Sequence, residues 1–389
     1  MQEKKTILVA PLNWGLGHTT RCIPIIHALK EEGFQVLLGS DGVALALLRK
    51  EFPEEDAIEL PSYQIEYAKK GKNFKWKMLL RSPKVIKAIN EEHKLLKKLV
   101  KANKIDGVIS DNRLGLYNEK IPTVFITHQL QVLSGKTTKI TSALHSRYIK
   151  RFNECWVPDY ADSPNLSGKL GHPKDFEIPV NYIGPISRLN KKEEDKIYDI
   201  AVLLSGPEPQ RTDLEEILLH ELKRYNGDIL FVRGVVEKEQ TVQRHNHIKL
   251  VNYMESRELE KAINCSDLIL SRSGYTTIMD LAKLGKKAFF IPTPGQTEQE
   301  YLAKRLKKKG LVPCANQEEF KLKDLSKVKV YKGFDSLLGN SSVVDINFRE
   351  LFGLFEGKRK LRTNSKVTFY INLFVVSFND VLHNRKTKS

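Results

Sequence analysis

Cysteine is scarce and scattered: Cys22, Cys155, Cys265 and Cys314 are the four in 389 residues, and no two form a CxxC pair. That pattern signals neither a structural zinc site nor a redox motif, and it cannot staple a small disulfide scaffold; reduced thiols in a cytosol are the simplest reading. Long apolar runs are missing as well. No stretch reaches the roughly 18–20 apolar residues that span a bilayer. The opening MQEKKTILVAPLNWGLGH has too short an apolar run before Asn13 to read as a secretory leader. The GxGxxG fingerprint of dinucleotide binding does not occur, and no DxD-type carboxylate pair stands at the end of an apolar strand, so a metal-held phosphate is not signalled. Acidic residues are in deficit, 47 against 64 Lys+Arg, a formal charge of +17. Nucleic acid, an anionic membrane face and negatively charged small substrates each fit that balance. So does a solvated helix face such as KLLKKLVKANK at 94–104.

What is present is a globular chain. Hydrophobic residues make up 41% and charged residues 29%, which excludes a disordered or collagen-like polymer. At roughly 100–200 residues per domain the length predicts two domains. Short apolar runs alternate with helical periodicity. TILVAP (6–11), a helix from about Thr19 to Glu32 and FQVLL (34–38) open the series, and DGVIS (106–110), PTVFIT (122–127) and CWVP (155–158) continue it. After the charged stretch RLNKKEEDK (188–196), a linker by composition, the pattern restarts. DIAVLLS (199–205), a helix from about Thr212 to Tyr225 and DILFVR (228–233) come first. Strands at 248–251, 268–271 and 288–291 follow, with helices at 256–264 and 276–284 between them. Strands separated by helices predict parallel sheets, hence two doubly wound α/β domains, 1–190 and 197–355, whose ligands sit at the carboxyl ends of the strands. Residues 356–389 form a tail of a basic cluster and the apolar run FYINLFVVSF. It reads equally as a membrane-surface segment, an extra strand or a tail without function.

Four strand-to-helix turns carry the chemistry. Asn13–His18 (NWGLGH) follows the first strand; Gly15 and Gly17 let the backbone turn and approach a ligand. Pro24 belongs in an opening helical turn, so the helix must start near His18. His18 is then a general base or a plain loop residue. Asp111, after DGVIS, either orients that imidazole or caps the next helix. His128, after PTVFIT, is a third candidate in the same layer. Ser205 and Gly206 open the turn SGPEPQR, whose free backbone N–H groups suit an anion. In SRSGYTTIMD, Ser273, Thr276 and Thr277 supply hydroxyls and Gly274 permits close approach. Arg272 adds a cation, and Asp280 lies one turn further along the helix, placed for ribose hydroxyls. PTPGQTEQE at 292–300 ends in carboxylates and amides suited to sugar hydroxyls.

These residues resemble GT-B glycosyltransferases of the family 28 type, the group that contains the peptidoglycan N-acetylglucosaminyltransferase and is related to UDP-glycosyltransferases. GLGHTTRCIP is similar to the family's glycine-rich turn, and SRSGYTTIMDLAKLGKKAFFIPTPGQTEQEYLAKRL to its donor-site segment. The resemblance covers roughly 5–350 and is sharpest at 251–306. It implies two Rossmann-like domains facing a cleft, an acceptor domain first and a nucleotide-sugar domain second. Arg272, Ser273, Gly274, Thr276 and Thr277 would hold the donor diphosphate and Asp280 the ribose. Glu298 and Gln299 would take the sugar, and the Tyr253–Met254 region would lie near the base. His18 would be the general base, with Asp111 as its partner. The chemistry implied is inverting transfer of a sugar, without metal or cofactor, from a UDP-linked donor such as UDP-N-acetylglucosamine to an acceptor hydroxyl on a lipid-linked or cell-envelope glycan. A cytoplasmic enzyme, peripheral at the membrane's inner face, would fit. Two rivals remain at this point: a sugar-nucleotide epimerase or hydrolase on the same scaffold, and a basic nucleic-acid-binding protein. For the second, KKGKNFKWK (69–77) is the one basic stretch with interleaved aromatics.

Overall fold

A computed structural model describes residues 4–63, 83–133, 138–235, 237, 239–340 and 346–353. The basic segment at 69–77 and the tail from 356 lie outside the described residues.

The first half runs β1 (Thr6–Pro11), α1 (Leu16–Glu31), β2 (Gln35–Ser40), α2 (Gly42–Glu51), β3 (Ala57–Glu59), α3 (Pro83–Lys101), β4 (Gly107–Asp111), β5 (Thr123–Ile126), α4 (Thr138–Ile149), β6 (Glu154–Val157) and β7 (Val180–Tyr182). Its strands form one parallel sheet in the order β3-β2-β1-β4-β5-β6-β7. The unbroken apolar runs of β1, β4 and β5 follow from helices covering both faces: Ile7, Leu8, Val9, Val108, Ile109, Val124 and Phe125 are fully buried.

The second half runs β8 (Tyr198–Leu203), α5 (Gln210–Leu222), β9 (Ile229–Val232), β10 (Val242–His245), β11 (Ile248–Val251), α6 (Ser256–Asn264), β12 (Ser266–Ser271), α7 (Tyr275–Leu284), β13 (Lys287–Phe290) and α8 (Thr297–Lys308). The sheet order is β10-β11-β9-β8-β12-β13, parallel except for the exposed edge strand β10. In each sheet the strand order reverses beside the first strand, between β1 and β4 and between β8 and β12. A crevice opens at such a reversal, and ligands of doubly wound sheets lie there.

Three expectations are corrected. The domain division at 197–355 fails at its end. The last described helix, α9 (Phe348–Gly353), packs on the first domain, where Phe348 meets Trp156 and Phe352 meets Phe34. Lys5 Nζ donates to Phe352 O at 2.6 Å. Gly107 makes room for this helix, since a Cβ there would stand 2.5 Å from the Phe352 ring. Pro24 is not in an opening turn: α1 already begins at Leu16, and Pro24 lies in its interior, where it costs the helix one backbone donor. The stretch at 188–196 is not wholly a free linker, because Leu189 is buried in the second core and Asn190 N donates to Glu260 of α6 at 2.7 Å.

Candidate active site

Gly15 has φ 72°, a conformation that side chains rarely adopt, and α1 starts at the next residue. The turn therefore lifts His18 into the first helical turn, above the carboxyl ends of β1 and β4, where Pro11 and Asp111 are in register. No helix follows Asp111 directly, so the capping alternative falls away. Its carboxylate is fully buried and accepts from His18 Nδ1 at 2.8 Å. It also accepts two hydrogen bonds from Arg21, through Nε and Nη2. Burial alone would raise the Asp111 carboxyl; the guanidinium and the imidazole outweigh it and hold the group well below the usual carboxylate range.

An ionised carboxylate only accepts, so the His18 proton sits on Nδ1 and Nε2 keeps its lone pair. No described residue bonds that Nε2. Burial, partly offset by Asp111 and reinforced by Arg21, lowers the His18 pKa. The ring is therefore neutral at pH 7, as a proton acceptor must be.

His128, the third candidate, joins the cluster differently. Its Nε2 faces Glu298 Oε1 at 2.8 Å, its Nδ1 lies 3.4 Å from Arg21 Nη1, and its ring stacks on Tyr275 at 4.0 Å and 5°. Both ring nitrogens are engaged, which leaves His18 as the candidate base. Glu298 also accepts from Gln129 Nε2. Burial would raise the Glu298 carboxyl, but the adjacent His128 brings it below its ordinary value.

The two domains meet here. Tyr275 Oη donates to Pro158 O at 2.8 Å, and a Cβ on Gly17 would stand 2.5 Å from Thr276 Oγ1. The glycine-rich turn of the first domain thus abuts the N-terminus of α7 in the second.

That helix end is built for an anion. Gly274 is its N-cap, no side chain caps it and its first turn carries no acid, so the leading N–H groups are unspent. Thr276 and Thr277 are half-buried beside them. Ser273 is fully buried and donates to Gln299 O at 2.8 Å, tying the turn to α8. Gln299 itself is spent inside its loop, on Thr293 N and Gln296. Ser205 and Gly206 are exposed at the end of β8, next to β12. Asp280 accepts from Ser187 Oγ at 2.6 Å, and burial raises its pKa to about 6. Tyr253 and Met254 are half-buried at the end of β11.

Arg272 does not present a free cation. It is 1% exposed, and its Nη atoms donate to Ile291 O, Pro292 O, Gln210 O and Gln317 Oε1, all neutral. Burial draws its pKa down to about 10. Its Nε and the Thr293 hydroxyl, which borders Gly206, are buried without a partner among the described residues. Arg272 holds the turns in place; a guanidinium with no such set of acceptors is Arg188. Arg188 is half-buried and makes no hydrogen bond or ion pair with a described residue, yet lies close enough to Asp280 and Glu51 to be influenced by both. Arg21 and Arg188 were both missed from sequence. Arg21 left a signal, three residues after His18 on the same helical face. Arg188 sat in a stretch read as linker.

Comparison with known proteins bears on the family and the fold. Residues 212–336 match the glycosyltransferase family 28 C-terminal domain. A UDP-N-acetylglucosamine--N-acetylmuramyl-(pentapeptide) pyrophosphoryl-undecaprenol N-acetylglucosamine transferase of Clostridium botulinum is 24% identical over 322 residues, 78% of this chain and 83% of that protein. A protein of the same description from Clostridium tetani is 25% identical over 82% of this chain and 87% of its own. Among solved structures, Acinetobacter baumannii MurG superposes with a TM-score of 0.52 at 16% identity, covering 87% of this chain and 92% of its own. The glycosyltransferase SnogD from Streptomyces nogalater gives 0.58 at 12% identity, over 91% and 96%. The two-domain α/β architecture is that of these glycosyltransferases.

Proposed function

Since the chain is a GT-B glycosyltransferase whose second half carries the family 28 C-terminal domain, we propose that it moves N-acetylglucosamine from a UDP-linked donor to a hydroxyl of a lipid-linked acceptor. One observation carries the reading: a neutral imidazole with a free Nε2 stands across the domain interface from an uncapped helix N-terminus.

His18 Nε2 removes the acceptor proton while Asp111 holds the ring through Nδ1. The acceptor oxygen attacks the anomeric carbon as its bond to the diphosphate oxygen breaks. The α7 N-terminus, the Thr276 and Thr277 hydroxyls and Arg188 take up the leaving charge. Asp280 accepts from the ribose, and Glu298 and Gln299 contact the sugar after giving up part of their present bonding. These groups serve without a divalent cation.

Four apolar side chains support an apolar acceptor. Leu16, Val43, Ile86 and Ile140 are exposed, and each lies in the opening turn or so of α1, α2, α3 or α4, at the carboxyl rim of the first sheet. Among the described residues no helix is long and apolar enough to cross a membrane. Peripheral contact with the cytoplasmic leaflet, aided by the net charge of +17, fits an acceptor of this kind.

Calorimetric titration with UDP, TDP and GDP in chelator tests the donor side. Tight binding of UDP, weakened by Asp280→Ala or Arg188→Ala, is expected; binding of none of the three refutes the reading. UDP-N-acetylglucosamine with and without a polyprenyl-diphosphate-linked sugar then separates transfer from hydrolysis. Equal sugar release in both would make the enzyme a hydrolase.

A further inference from the structure

We propose that Arg21 is a positioning residue that fixes the proton on both imidazoles of this cluster, leaving Nε2 bare on His18 and Nδ1 bare on His128. As a statement about proton positions it stands on geometry alone; as a statement about catalysis it rests on the reading of His18 as base.

Arg21 is 2% exposed and its donors are distributed over three groups. Nε and Nη2 take the two oxygens of Asp111, Nη2 lies 2.9 Å from His18 Nδ1, and Nη1 lies 3.4 Å from His128 Nδ1. A guanidinium donates and never accepts. Opposite His128 this requires a bare Nδ1, so the ring proton sits on Nε2 and is donated to Glu298 at 2.8 Å.

Opposite His18 two arrangements compete. If Arg21 donated to Nδ1, that lone pair would also face Asp111 Oδ1 at 2.8 Å with no hydrogen between them, a repulsive contact of two acceptors. With the proton on Nδ1, Asp111 accepts from ring and guanidinium alike, and the 2.9 Å approach of Nη2 to Nδ1 is a neighbour contact of two donors that share one carboxylate, not a hydrogen bond. The second arrangement prevails as long as Asp111 stays ionised, and the bidentate Arg21 keeps it so. The same motif thus imposes opposite tautomers on two histidines.

The groups facing His18 are Asp111 and Asn112 at the end of β4, Arg21 on its own helix, His128 after β5 and, further off, Glu298 on α8. Arg21 and His128 disfavour a proton on His18, and Asp111 favours one. Removing the guanidinium leaves Asp111 without its strongest partner and His18 as the nearest base to share a proton with it. The His18 midpoint should then rise by roughly 1–3 pH units, the range for a charge at contact distance.

The test is nitrogen-15 NMR of the histidine rings in the full chain, assigned with His18→Gln and His128→Gln and followed over pH 5–9. It needs no substrate, so its failure is distinct from failure of the proposed transfer. Expected in the unmodified protein are an unprotonated Nε2 on His18 and an unprotonated Nδ1 on His128. In Arg21→Gln the His18 midpoint moves up and His128 becomes a tautomer mixture. Where Arg21→Gln does not fold, Arg21→Lys serves: a single ammonium keeps the charge near Asp111 but cannot also reach His128. The His18 midpoint should then stay within about half a unit while the His128 tautomer relaxes. A protonated Nε2 on His18 at pH 7.5, or titration and tautomers unchanged in the substituted protein, overturns the proposal.

Discussion

Replacing Gly17 by alanine separates domain closure from folding. Gly17 lies in the first turn of α1 without a positive φ, so its backbone accepts a side chain. Within the helix, alanine is favoured over glycine by about 0.5–1 kcal/mol. The first domain alone should gain a little stability. Across the interface the sign reverses. The new Cβ stands 2.5 Å from Thr276 Oγ1, 3.3 Å from its Cβ and 3.8 Å from its Cγ2. Rotating the threonine removes the first contact but not the second, so the domains must part by several tenths of an ångström. Overpacking of that kind costs about 1–3 kcal/mol, and all of it falls on the closed arrangement in which His18 and α7 face each other. Sugar transfer should drop by roughly 5–150-fold, with the thermal midpoint unchanged or slightly higher. Thr276→Ala in the same chain removes Oγ1, the nearest clashing atom, and Cγ2 but keeps the Cβ at 3.3 Å, so the double variant should recover part of the loss, with about 0.5–3 kcal/mol of coupling. Full turnover in Gly17→Ala, a lowered midpoint, or strict additivity would each refute the reasoning.

Removing the base through His18→Gln should lower turnover by about 10²–10⁴-fold while calorimetric affinity for the donor nucleotide holds; a parallel loss of both would make His18 a binding residue. The base must be neutral, and burial lowers its pKa from the ordinary 6.5. Turnover at saturating substrate should therefore fall only as pH drops below about 6.5, and an acid limb centred above 7 would contradict the geometry. Burial raises Asp280 from the ordinary 3.8 to about 6, so the cost of burying it is full above about pH 6, declines as pH falls toward 3.8 and is absent below that. Asp280→Asn should stabilise the fold at pH 7.5 by an amount on the order of 1–3 kcal/mol, by about half of that at pH 5 and hardly at all near pH 3.5, and should weaken nucleotide binding. Arg272→Ala strands four buried acceptors, and a loss of about 1–3 kcal/mol or more is expected in urea unfolding. Unaltered stability with lost nucleotide affinity would restore Arg272 as a direct diphosphate ligand.

Local pattern carried most of the architecture. β1 and β11 lie where their apolar runs begin and end, and α6 where its polar start and apolar face put it. Elements that depend on distant partners were not readable. β3, β7 and β10 are short edge strands whose residues are half-buried or exposed, so no continuous apolar run marks them. α9 is six residues long, and only distant partners give its phenylalanines a place, the hollow beside Gly107 for Phe352 and the Trp156 ring for Phe348. The site divides in the same way. Gly15, His18 and Gly274 owe their positions to a single turn each, so strand, glycine and helix in succession located them. The pairing of His18 with Asp111 needed the order β2-β1-β4, which parallel strands suggest but do not dictate.

The two arginines show why residue type and spacing stop short of a role. Arg272 stands in the segment with the strongest family likeness, beside the turn where a diphosphate is expected, and charge alone recommended it. The deciding factor is the supply of acceptors behind it. The chain brings two carbonyls after β13, one from α5 and the Gln317 amide within reach. A guanidinium surrounded by fixed acceptors gains more from staying than from crossing to a ligand it would also have to desolvate. Arg188 has the opposite surroundings: two carboxylates near enough to act on it and neither bonded to it. A cation left half-buried with its donors unspent is costly unless something anionic arrives. Measured by the hydrogen bonds already made, Arg188 is the cation we propose for the donor site, and a charge reversal there, Arg188→Glu, should abolish nucleotide binding. The same reversal at Arg272 should first unfold the turns around it.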